Sequence, residues 1–225
     1  MKAKFIHLVL WSVLLRSVVF TQQAHSLLPA TNASTSVDWQ KISKQLEEML
    51  DVDQATRKRI SALMQQPNAV QVENGNNESA DLRKKLKADD AANLTQLKEI
   101  VSNYGWPRKS VVGAKAALGA FLVLQHSEPN YQAEIAPLVR AAVAAGEADK
   151  SNLALLEDRI LVRQGMPQIY GSQVSSTGAF VSIFRVKDEP NLDKLRAEVG
   201  LEPICTYLKR FVALEGKIEY PACSK

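Results

Sequence analysis

Three groups of polar residues stand inside or beside apolar stretches of this chain, and each is of a type that can do chemistry. Gln125-His126 follows a run, 114–124, whose only polar side chain is Lys115. Asp158-Arg159 interrupts a second apolar run that reaches Gln164, and the sequence Pro167-Gln168-Ile169-Tyr170-Gly171-Ser172-Gln173 comes next. Burying a polar group without a partner is costly, so such residues either pin the fold or form a site. His126 is the candidate for proton transfer, and Asp158 is the nominee for the carboxylate that would orient its ring. Gln125, Arg159, Gln168, Tyr170 and Gln173 are candidate ligand-binding residues, and the amide, phenol and hydroxyl donors of the 168–173 run suit a sugar or a peptide amide. Trp106, held between Gly105 and Pro107, is a candidate stacking platform beside them.

Each group also has an architectural alternative. A histidine at a helix C-terminus can cap the exposed carbonyls, which favour a cation there. Asp158 and Arg159 are adjacent on one helix and cannot face each other, so each finds its partner elsewhere, as in a buried ionic network. The indole of Trp106 has the area to pack over the edge of a core. Along a strand Gln168 and Tyr170 share one face, while Gln173 falls on the other unless a bulge at Gly171 re-aims it.

The elements that must position these residues are mostly helical. Asp38 can cap a helix carrying Trp39, Ile42, Leu46, Met49 and Leu50 at helical spacing, and Asp53 can cap its continuation over 54–64. Residues 65–79 are rich in Gln, Asn, Glu, Gly and Pro and read as a flexible loop. Helix resumes over 80–104 and stops at Gly105, with Pro107 delaying its restart. The run 114–124 is apolar on nearly every azimuth and belongs at the centre of a bundle. A helix over 131–145, bent by Pro137, and one capped by Ser151 or Asn152 complete the set. The period then changes: 168–174 and 179–186 read as two strands of a hairpin, rich in β-branched residues. Short helices follow over 191–199 and 203–214. The expected architecture is mainly α, an irregular helical bundle with a small β-hairpin near the C-terminal third.

Residues 1–26 read as an export signal: Lys2 and Lys4 precede an apolar core that ends at Phe20, and Ala24-His25-Ser26 supplies small residues at the cut. Arg16 interrupts the core, which weakens the alternative of an uncleaved anchor. Residues 27–37 read as a disordered tether, leaving 38–225 as a single helical domain in a periplasmic or secreted protein. Removing 1–26 takes three of 28 bases and no acid, so 25 bases face 24 acids. The basic pI thus belongs partly to the signal, and nucleic-acid binding loses its electrostatic support. No membrane span is expected after removal of the signal.

The same cut leaves His126 as the only histidine, with two cysteines, Cys205 and Cys223. That is too few soft ligands for a zinc cluster, and no calcium-loop pattern occurs, so no metal and no cofactor is expected, with carboxylate-bound calcium or magnesium as the alternative. In an oxidising compartment Cys205 and Cys223 are expected to pair, closing a loop of about 19 residues worth roughly 3 kcal/mol; two reduced, small apolar side chains are the alternative. No nucleophile elbow, phosphate-binding loop or dinucleotide fingerprint is present.

The chain resembles a bacterial family known only as a domain of unknown function. The residues that carry the resemblance are Asp53-Gln54 with Arg57, Asp90 with Asn93, Gly105-Trp106-Pro107, Gln125-His126, Asp158-Arg159, the Pro-Gln-x-Tyr-Gly-x-Gln run, and Arg196 to Tyr207. Relatives usually have Thr where Ser172 stands, and an Asp shortly after the histidine where Ser127-Glu128 stand. The resemblance implies a domain over roughly 50–208 and brings no assigned reaction.

Three functional expectations follow. One is a protein that binds a polar small molecule or a protein partner through a His/Asp/Arg/Gln/Tyr surface. A second is a cell-envelope hydrolase with His126 as acid or base. The third is a scaffold whose polar network is purely architectural.

Overall fold

The computed structural model describes residues 37–64, 77–176, 180–212 and 217–223. The expected export signal, nearly all of the tether and positions 65–76 of the expected loop lie outside the described residues. Helix α1, Trp39–Met64, is one unbroken run of 26 residues. Its start is set as the sequence implies: the Asp38 carboxylate accepts the Lys41 N–H at 3.0 Å, satisfying one of the free amides of the first turn. Its inward stripe runs through Ile42, Leu46, Met49, Asp53, Thr56 and Leu63, all buried and spaced by threes, fours or their sum. The sequence reading places a cap at Asp53. The helix instead runs through that residue and turns its carboxylate inward, because it sits on the same stripe as Met49 and Thr56.

Helix α2, Asn77–Tyr104, begins inside the expected loop, so 77–79 are helical. It packs on α1 along a seam that mixes apolar and polar groups. Asn93 donates to the Met49 carbonyl at 3.2 Å, Thr56 donates to Asp89 at 3.1 Å, and the Gln45 and Gln96 amides meet at 2.8 Å. Gly105, at φ 75°, ends α2 in the left-handed conformation that favours glycine.

A short helix α3, Lys109–Val112, leads into α4, Ala114–His126. Helix α4 buries Ala116, Gly119, Ala120, Phe121, Val123 and Leu124 and packs closely on α1. Leu118 is exposed, so the helix is apolar all round without being enclosed all round. Helix α5, Pro129–Ala144, carries Pro137 internally, and α6, Lys150–Arg163, lies against it. Asp149, rather than Ser151 or Asn152, occupies the α6 N-cap position, with no side-chain capping bond. Together α1 to α6 enclose one core that includes Leu46, Leu97, Leu124, Val139 and Leu156.

A second, smaller core lies in the C-terminal third, where Val181, Val186, Leu192, Ile204, Leu208 and Tyr220 cluster. Strand β1, Val174–Ser176, pairs antiparallel with β2, Phe180–Ile183, through Val174 opposite Ile183. Strand β3, Lys217–Ile218, adds to β2 in parallel. The hairpin is present, but its first strand is shorter than 168–174, and Gln168 makes only a lone parallel bridge to Val186. The reason is local: the backbone N–H groups of Ile169, Tyr170 and Ser172 are drawn to the Asp158 carboxylate and are unavailable to a ladder.

Helices α7, Leu192–Glu198, and α8, Ile204–Leu208, follow, and the 203–214 helix of the sequence reading gives way after Leu208 to a 3₁₀ turn, Lys209–Phe211. Cys205 and Cys223 form a disulfide that ties α8 to the tail. The molecule is thus a mainly α, irregular bundle with a small sheet in its C-terminal third. No helix among the described residues is long and apolar enough to cross a membrane.

Candidate functional site

The inward stripes of α1, α2 and α4 each carry a polar residue where they converge: Asp53, Asp90 and His126. Asp53 Oδ1 lies 2.7 Å from His126 Nδ1. The same oxygen is 3.3 Å from Arg57 Nε, and Arg57 Nη2 reaches Asp90 Oδ1 at 2.6 Å. The second Asp53 oxygen accepts the Gln54 amide at 2.7 Å. Asp53 is 1% exposed, whereas the side chains of His126, Arg57 and Asp90 are 22%, 24% and 27% exposed. The carboxylate is therefore sealed, and its partners form the boundary with solvent.

Burial works against the Asp53 charge, but the His126 and Arg57 contacts outweigh it, and the carboxyl titrates below its ordinary 3.8. An ionised carboxylate only accepts hydrogen bonds, so His126 Nδ1 carries a proton toward it. The other ring nitrogen, Nε2, has no partner among the described residues and is not buried. In the neutral ring it offers a lone pair, and in the charged ring an N–H.

His126 is free for this role because other groups cap α4. Gln132, fully buried, donates its amide to the carbonyls of Leu124, Gln125 and Ser127 at 3.2, 2.9 and 3.0 Å, and Ser127 Oγ donates to the Leu124 carbonyl at 2.8 Å. Arg159 Nη1 adds a bond of 3.1 Å to the Gln125 carbonyl. The helix-capping role that the sequence allows for His126 is thus filled by Gln132.

One nomination is corrected by the geometry. Asp158 does not orient His126: fully buried, it accepts Ile169 N–H at 2.7 Å, Tyr170 N–H at 3.0 Å and Ser172 N–H at 2.9 Å. Its carboxylate is saturated by a turn of main chain and holds the start of the sheet region against α6.

Gln168, also fully buried, is similarly spent, donating to the carbonyls of Gln173 and Phe184 at 3.1 and 2.8 Å and accepting Gln173 N–H at 2.9 Å. Gln173 uses its amide on Ser172 Oγ at 3.1 Å. The Tyr170 carbonyl accepts Arg196 Nη1 at 2.6 Å, and burial raises the pKa of its phenol. Trp106 is buried in the helical core, beside Phe121 and Val139 at a small crevice.

The sequence candidates therefore divide. Gln125, His126 and Arg159 adjoin one another, Asp158 with 168–173 forms a separate scaffold, and Trp106 packs. The residue that sequence reasoning missed is Asp53, together with Arg57 and Asp90. Two signals pointed to it: the triad of resemblance residues Asp53, Arg57 and Asp90, and a charged residue on the apolar stripe of α1.

Single ligand atoms of Asp53, Asp90 and His126 lie within 4.8 Å of one another, a spacing compatible with a cation. Arg57 donates to both carboxylates, so one guanidinium is shared by two carboxylates, and the cluster keeps one negative charge whenever the imidazole is neutral. Compared with known proteins, the chain matches no curated protein and no solved structure. One family model, described as a family of unknown function, matches residues 40–217, and the chain belongs to that family, DUF6624.

Proposed function

We propose that the chain is an exported protein, periplasmic or secreted, that binds a polar ligand at the outward nitrogen of His126. The observation that supports this reading is the asymmetry of the imidazole. Nδ1 is fixed at 2.7 Å by a sealed carboxylate, while Nε2 is left to solvent without a partner among the described residues. A histidine recruited only to join helices has use for both nitrogens inside the protein; this one is held rigid and presents a single polar atom outward, the preorganisation that a binding group needs. Titrating the full chain with N-acetylglucosamine, glycylglycine amide or inorganic phosphate, while following the imidazole nitrogens by NMR, tests it. The expected result is a saturable movement of the His126 Nε2 resonance with at least one probe, absent in His126→Gln. No response to any probe at millimolar concentration overturns the reading.

A second reading, a hydrolase using His126 as acid or base, is favoured by Asp53, which supplies the orienting carboxylate that proton transfer requires. Chromogenic esters, phosphodiesters and glycosides are the substrates to try. His126→Gln and Asp53→Asn should each lower turnover by about 10²–10⁴-fold. If the unaltered protein turns over none of them, or turnover survives His126→Gln, this reading falls. A change confined to melting temperature would leave only the architectural role.

A further inference from the structure

Arg159 has no counterion among the described residues. Arg57, Arg140 and Arg210 each pair with a carboxylate, but Arg159 makes a single hydrogen bond among the described residues, from Nη1 to the Gln125 carbonyl at 3.1 Å. Its Nε is buried with no partner, and its Nη2 has no partner among the described residues and is not buried. The neighbouring charges make this harder to sustain: burial and the like charges of Arg163 and Arg57 push its pKa down. Asp158, the next residue in the chain, is occupied by main-chain amides. Arg163 gives its own hydrogen bond to the neutral Gln132 side chain. A half-buried guanidinium beside two others, with one N–H idle inside the protein, is an arrangement that an anion completes.

The edge left open matters as much as the charge. Nη1 is spent on a carbonyl, so the vacant donors are Nε and Nη2, the parallel pair that takes two oxygens of a carboxylate or phosphate side-on. One end of this edge is sealed by protein and the other reaches water. Gln125, whose carbonyl anchors Arg159, also has its side-chain oxygen buried without a donor, in a residue only 6% exposed.

We propose that Arg159 binds an oxyanion, a carboxylate or phosphate group of a small ligand, first at the Nη2 that reaches water, and that the sealed Nε and the Gln125 side-chain oxygen join as the ligand displaces the side chains covering them, Nε donating to a second oxygen and Gln125 accepting from a hydroxyl or amide on the ligand. This deepens the polar-ligand reading and rests on it in placing the ligand beside His126, whose backbone follows Gln125. Asp53 and Asp90 are both engaged by Arg57.

The test uses the full chain, titrated with sodium acetate and separately with sodium phosphate against sodium chloride at equal ionic strength, following arginine Nε–H resonances by NMR. The Arg159 resonance, assigned by its loss in Arg159→Lys, should move saturably with one anion, and the preferred anion distinguishes a carboxylate from a phosphate ligand. Arg159→Lys keeps the charge but lacks the fork, so it should bind that anion at least about tenfold more weakly. An unresponsive Arg159 resonance, or equal affinity in Arg159→Lys, overturns the proposal. Binding lost in His126→Gln but kept in Arg159→Lys sinks this inference and leaves the His126 reading standing. Binding lost in Arg159→Lys, with no probe moving the His126 nitrogen, does the reverse.

Discussion

Asp53 and His126 lie 73 residues apart in sequence and meet through a 2.7 Å contact between the middle of α1 and the end of α4. Because the Asp53 pKa is lowered in the folded state by His126 and Arg57 despite its burial, its charge is linked to stability. The sign follows from the depression: the contribution is fully present above the unfolded value of about 3.9 and is lost as pH falls through the lower folded value. Asp53→Asn should therefore cost about 1–3 kcal/mol at neutral pH, and this gap should close in the region below about pH 4. Urea midpoints of the two proteins across that range decide it. A gap that stays constant would mean that the Asp53 charge contributes nothing.

Asp158→Ala should be among the most damaging single changes in the chain. It removes the common acceptor of the Ile169, Tyr170 and Ser172 amides, and each buried amide left unsatisfied costs about 1–3 kcal/mol. A loss of about 3–5 kcal/mol is expected, with the sheet region losing its anchor on α6. Asp158→Asn keeps the shape but turns an N–H₂ toward main-chain N–H groups, so it should recover only part of the loss. Chemical denaturation of both variants gives the comparison, and a loss below about 1 kcal/mol in the alanine variant would refute the assignment.

The helices were legible because their period and stops are local properties. Asp38, Gly105 and the apolar run before His126 mark boundaries through the chemistry of one or two turns. The site was half legible. His126, Gln125 and Arg159 stand out as polar residues in apolar runs, but the partner of His126 lies on another helix, and nothing local distinguishes Asp158 from Asp53 as that partner. The decision belongs to packing: α1 meets α4, which brings the Asp53 stripe to His126, while Asp158 is claimed first by the main chain that follows its own helix. That competition also cut the first strand short. Strand β3 went unseen because a two-residue strand has no period to detect.

Gly119 marks the closest approach of α4 to α1. A Cβ added there would collide with the Leu46 carbonyl oxygen and come within 3.2 Å of Leu50 Cβ. Gly119→Ala would gain about 1 kcal/mol in helix propensity, but the obstacle is backbone, which cannot rotate aside. The clash should prevail, giving a net loss of about 1–3 kcal/mol as the two helices move apart. The same movement draws His126 from Asp53, so the His126 Nδ1 resonance should shift along with the lower urea midpoint. A stabilised variant would show that the two helices have room to separate.

The disulfide between Cys205 and Cys223 closes a loop with a sequence separation of 18, for which the chain-entropy estimate is about 3 kcal/mol. It lies with the smaller core of Val181, Leu192, Ile204 and Leu208, whereas the Asp53–His126 pair joins α1 to α4. Replacing both cysteines by serine should therefore act unevenly. Hydrogen-exchange protection should fall in β2 and α8, and hold in α1 and α4, because the two cores bury their own apolar side chains and open with separate free energies. The His126 Nδ1 resonance should stay where it is. An equal fall in protection in both regions would mean that the tail is an integral brace of the helical bundle, and that the disulfide supports the His126 site from a distance.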